Sequence, residues 1–81
     1  MKANIYVTLK TGVLDPQGKA IHHSAEMLGH LNIEDIRQGK FFEIYFKNDV
    51  TAEEAGKTAR KLADEMLANP VIEDYRIEIV E

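Results

Sequence analysis

The chain of 81 residues contains no cysteine. That excludes disulfides, paired-cysteine metal sites and thiol nucleophiles, and it fits a reducing compartment. Serine occurs once, at Ser24, without the strand–turn–helix setting of an activated nucleophile. No apolar run approaches the ~20 residues of a membrane-spanning helix, and the N-terminus carries no signal-peptide core. Basic residues are outnumbered, ten Lys and Arg against fourteen Asp and Glu, for a formal charge of −4 at pH 7. A general nucleic-acid binder needs a net basic footprint, so the balance argues against that class. These absences describe a cytoplasmic protein with neither nucleic-acid nor membrane partners. The length allows a single domain, residues 1–81. A core this small is commonly supplemented by oligomerisation.

What is present is a regular exchange of periods. From Lys2 to Lys10, Ala3, Ile5, Val7 and Leu9 alternate with Asn4, Tyr6, Thr8 and Lys10, the period of a half-buried strand. Asp15-Pro16 reads as an N-cap followed by proline at the first helical position. The helix it opens ends near Gly29, with Ala20, Ile21, Ala25, Met27 and Leu28 as its apolar stripe. Ile33 to Lys47 reads as a long extended element interrupted at Gly39, by a bend that would give three strands or a turn that would give four. Thr51-Ala52-Glu53-Glu54 is a capping box. Ala55, Ala59, Leu62, Ala63 and Met66 follow as a helical stripe, and Asn69-Pro70 stops the helix. Tyr75, Ile77 and Ile79 alternate with Arg76, Glu78 and Val80 in a final strand. The order β-α-β-α-β predicts an α+β two-layer sandwich, with two helices on one face of an antiparallel-rich, ferredoxin-like sheet. Tyr6, Phe41 and Tyr45 then fall on the opposite face, where exposed aromatics mark a candidate dimer interface.

Residues that could carry chemistry have structural explanations. His22 and His23 are adjacent on a helix and point apart, whereas a helical metal pair wants i, i+3 or i, i+4 spacing. His30 follows the helix-ending Gly29. Asp15 is a cap, and Glu53 and Glu54 sit at a helix N-terminus. Gln38 to Tyr45 can be laid against the RNA-recognition octamer, but only Gly39, Phe42 and Tyr45 match. Gly12 to Gly18 lacks the Gly-Lys-Ser/Thr ending of a phosphate-binding loop. The loop nevertheless concentrates unusual residues. Gly12 permits a backbone conformation closed to other residues. Gly18 lies in the first helical turn, where glycine costs about 1 kcal/mol relative to alanine, so close approach of a backbone, partner or ligand is expected there. Lys10, Arg37 and Lys40 form a candidate basic cluster for a phosphate or carboxylate. No catalytic or metal residues are expected on the chain.

Two blocks carry a family resemblance. Val7-Thr8-Leu9-Lys10, Gly12-Val13-Leu14-Asp15-Pro16-Gln17-Gly18 and Ala20 resemble the opening signature of the PurS family. Ile36-Arg37-Gln38-Gly39-Lys40-Phe41-Phe42-Glu43 resembles its second block. The resemblance implies a non-catalytic small subunit of formylglycinamidine ribonucleotide (FGAM) synthase, an ATP-dependent ligase complex of purine biosynthesis. It implies a homodimer, able to pair again as a dimer of dimers. That dimer would bridge a synthetase subunit, PurL, and a glutaminase subunit, PurQ, and support ammonia transfer between them. ATP, Mg²⁺ and glutamine would be used by the complex, with no cofactor on this chain. Lys10, Gly12, Asp15, Gly18, Arg37, Gly39 and Lys40 become candidates for partner or anion contact. The alternative is a free-standing ACT-like regulatory domain that binds a small molecule near Gly12.

Overall fold

A computed structural model describes residues 1–81. Three strands form one antiparallel sheet in the order β2-β1-β3: β1 is Lys2–Leu9, β2 Gly39–Tyr45 and β3 Glu73–Val80. β1 holds the centre, paired with β2 on one side and β3 on the other, and it is the most buried strand. Ile5 stands opposite Phe42 on one side and Ile77 on the other, and Ala3 stands between Ile44 and Ile79. All six side chains share one face. Ala3, Ile5 and Val7 are fully buried there, with Phe42, Ile44, Ile77 and Ile79 packed around them. Glycine begins β2 for a steric reason: a β-carbon on Gly39 would lie 2.5 Å from the Val7 carbonyl oxygen. Gly39 is therefore neither bend nor turn. The sheet has three strands, and Ile33 to Gln38 run outside it.

α2, Ala52–Leu62, covers the apolar face over β1 and β3. Thr51 caps it, its hydroxyl accepting from the Glu54 N–H at 3.2 Å and donating to the Glu54 carboxylate at 3.0 Å. Ala55 and Ala59 are buried. Small side chains let the helix axis come close to the sheet. The helix then widens into a π-helical turn, Ala63–Leu67, closed by the Ala68 N–H donating to the Ala63 carbonyl at 3.0 Å. That turn holds one residue more than an α-helical turn. The stripe shifts accordingly: Leu67 packs against the core and Met66, expected inside from the periodicity, is 70% exposed.

α1, Pro16–Met27, behaves differently. Asp15 caps its start and a Schellman motif ends it, with Gly29 N–H donating to Glu26 O and His30 N–H to Ala25 O, both at 3.0 Å. Gly29 takes the required positive φ of 97°. Within the chain, however, only α2 lies on the sheet; α1 makes no more than marginal contact with any strand. Ile21, Met27 and Leu28 of its apolar stripe are exposed. The molecule measures 50 × 26 × 14 Å with a radius of gyration of 16.1 Å. A compact domain of this length would have about 12 Å. α1 and the following segment thus form an arm.

Candidate interaction site

The loop residues singled out in the sequence gather where the arm joins the sheet. Asp15 is the centre of this junction, only 5% exposed. One carboxylate oxygen accepts from the Gly18 N–H at 2.9 Å, as a helix cap does; the other accepts from the Gln38 N–H at 2.7 Å. The hydrogen bond from Gln38, with that from Gly18 second, holds the Asp15 carboxyl below the usual carboxylate range. Gly18 explains itself in the same place. A β-carbon on it would collide with the Ile36 carbonyl oxygen, so the close approach is made by the chain's own backbone. Gly12 has φ of +89° and open space around it, so its need is conformational.

Lys10, Arg37 and Lys40 do not pool into a free basic cluster. Lys10 pairs with Asp74 at 3.0 Å and Lys40 with Glu73 at 3.3 Å. Arg37 donates to the Leu9 and Lys10 carbonyls at 3.4 and 3.3 Å, with its Nε 3.9 Å from Asp15. Glu73 is lowered in pKa, first by the Asn69 N–H and then by Lys40. A cleft of 240 Å³ lies beside Gly12, with Asp15, Asp35, Lys19 and Arg37 among the residues that line it. Its charges are mixed, which favours neither a free anion nor a free cation.

The second sheet face carries the three aromatics as expected. Tyr6 and Phe41 are register partners with ring centroids 5.0 Å apart. The Arg76 guanidinium lies 4.1 Å from the Tyr6 ring on the other side, within cation–π range. Lys2 binds Glu43 at 2.7 Å and stands 5.8 Å from the Tyr45 ring centroid. That ion pair raises the Lys2 pKa and lowers that of Glu43. Phe41 and Tyr45 are exposed and no helix covers them.

Sequence reasoning missed several members of this construction. Gln38 enters through its backbone N–H, which no side-chain pattern advertises. His22 binds the Ile33 carbonyl through Nε2 at 2.9 Å, fastening α1 to the returning chain. Glu73 and Asp74, the acidic partners of the lysines, could have been found only by knowing that β3 lies beside β1.

An elongated three-stranded α+β unit with one helix standing off its sheet and an aromatic sheet face left uncovered is a small module with surfaces open to contact. Residues 2–81 match the family model PurS, described as phosphoribosylformylglycinamidine (FGAM) synthase. The chain belongs to the PurS family. It is 42% identical over 76 residues to the phosphoribosylformylglycinamidine synthase subunit PurS of Mycobacterium leprae, covering 94% of this chain and 91% of that one. The solved PurS of Bacillus subtilis superposes with a TM-score of 0.82 at 38% identity, covering 99% and 98% of the two chains. A chain of the PurLQS structure from Thermotoga maritima superposes at 0.86 with 28% identity, covering 98% and 95%.

Proposed function

We propose that this protein is the non-catalytic assembly subunit of an FGAM synthase, bridging a PurL-type synthetase and a PurQ-type glutaminase as a homodimer. The observation that carries the reading is the match of residues 2–81 to the PurS family, together with the structural likeness to a chain of PurLQS. The shape supports self-association. α1 stands off its own sheet with Ile21, Met27 and Leu28 exposed, while α2 leaves β2 without a helix over it. A second copy that laid its α1 along Phe42, Ile44 and Phe46 would supply the missing layer, and two-fold symmetry would repeat the contact. The aromatic face around Tyr6, Phe41 and Tyr45 is left for a further contact, either a second dimer or a larger subunit.

In this reading the ATP, Mg²⁺ and glutamine chemistry belongs to the partners. A chain without cysteine and without a phosphate-binding loop supplies neither a glutaminase thiolate nor a nucleotide cradle. Its role is geometric, in the cytoplasm: holding two active sites in a relative arrangement that keeps ammonia from solvent. Reconstitution with PurL-type and PurQ-type subunits tests this. Glutamine-dependent FGAM formation should require this protein, while ammonia-dependent formation proceeds with the synthetase alone. A protein that joins neither partner and changes neither reaction would remove the proposal.

A further inference from the structure

We infer that Asp15 is the positioning residue that fixes the direction of α1, holding the helix as a rigid arm clear of its own sheet. An N-cap needs one acceptor, and the Gly18 N–H supplies its donor at 2.9 Å. The second oxygen of a capping carboxylate ordinarily faces water. Here it accepts from the Gln38 N–H at 2.7 Å and the residue is almost fully buried. Gln38 immediately precedes Gly39, which pairs with Thr8 in the sheet. One planar group therefore ties the first turn of the helix to the residue immediately before β2. Swinging α1 about the 10–14 loop would break one of these two bonds.

Three further contacts run along the same seam. Gly18 lies so near the Ile36 carbonyl that no β-carbon fits between them. One turn on, His22 binds the Ile33 carbonyl at 2.9 Å. The Gln17 and Gln38 side chains also meet. The helix is fastened to residues 33–38 as far as His22, and the exposed Met27 and Leu28 are carried beyond that fastening. The inference rests on the homodimer reading for its use, since the arm's angle decides where α1 delivers those residues. Its geometry stands without it.

The absence of cysteine makes the test direct. Ser24→Cys on α1 and Lys57→Cys on α2 place two spin labels in one chain, diluted into excess unlabelled protein so that only distances within a chain are read. The parent protein should give one narrow distance distribution. Asp15→Asn separates capping from clasping, because asparagine is as good a cap as aspartate but can accept from only one of the two N–H groups. Its distribution should broaden. Gly18→Ala, which raises helix propensity, should nevertheless shift the distribution by driving the helix off the Ile36 carbonyl. It decides the matter should Asp15→Asn not fold, as judged by circular dichroism. Native, narrow distributions in both variants would overturn the inference. Sedimentation of the same samples keeps the two ideas apart. A monomeric parent whose variants broaden would sink the homodimer and leave the clasp. A dimeric parent whose variants stay narrow would do the reverse.

Discussion

Leu67 packs against the core of the sheet while its neighbour Met66 points to solvent, the inverse of what an unbroken helical period would place there. The π turn between Ala63 and Ala68 causes the inversion. Leu67→Ala should therefore destabilise the protein by about 1–3 kcal/mol, somewhat under the usual cost for a fully buried leucine. Met66→Gln should change urea-induced unfolding by less than about 0.5 kcal/mol. Equal losses in the two variants would contradict the assignment.

Ala59 is fully buried between α2 and the strands, beside Ala63. A larger side chain there must push the helix from the sheet. Ala59→Leu should lower stability by about 1–3 kcal/mol despite leucine's good helix propensity. The exposed Thr58→Leu is the matched control and should leave the unfolding midpoint nearly unchanged.

Acid should weaken the fold in a particular way. The Asp15, Glu43 and Glu73 carboxyls are all held below their ordinary values in the folded protein. The unfolded chain then binds more protons, so stability rises with pH in this range. The contribution is fully present above the ordinary carboxylate values near ~4 and disappears as pH falls through the lowered ones. Unfolding midpoints measured from neutrality downward should fall for the parent protein. Asp15→Asn should start lower and fall less steeply. Identical slopes for parent and variant would exclude Asp15 from the linkage.

Ile21 and Leu28 lie on the arm and are exposed within one chain. If they meet a second copy, Ile21→Glu combined with Leu28→Glu should shift sedimentation from dimer to monomer over the micromolar range. The far-ultraviolet spectrum should still report the same β-sheet. A dimer that survives both charges would move the contact to the aromatic sheet face.

Much of the architecture is legible in local patterns. The alternation of Ala3, Ile5 and Val7, the Asp15-Pro16 cap, the glycine at position 29 and the Thr51 cap each depend on residues a few positions apart. Each is found where those patterns put it. What escaped is non-local or geometric. The second bond of Asp15 spans 23 residues to a backbone N–H. The carboxylates that neutralise Lys10 and Lys40 lie on β3, far along the chain. The π turn leaves every residue type compatible with an ordinary helix. The departure of α1 from the sheet is also invisible to periodicity, because an amphipathic stripe states that a face needs covering and not which chain covers it.

Ten of 81 residues are buried, and Ile5 and Val7 are the largest fully buried side chains. Such an interior supplies little of the cohesion that a self-sufficient domain of this length has. If the proposed homodimer supplies the remainder, the melting temperature should climb with protein concentration, as for obligate oligomers. Scans over a hundredfold concentration range would show this; a constant midpoint would mean that one chain suffices. In such a homodimer the thinness of the molecule would link its survival to its abundance: copies too few to find one another are the ones a protease would reach first.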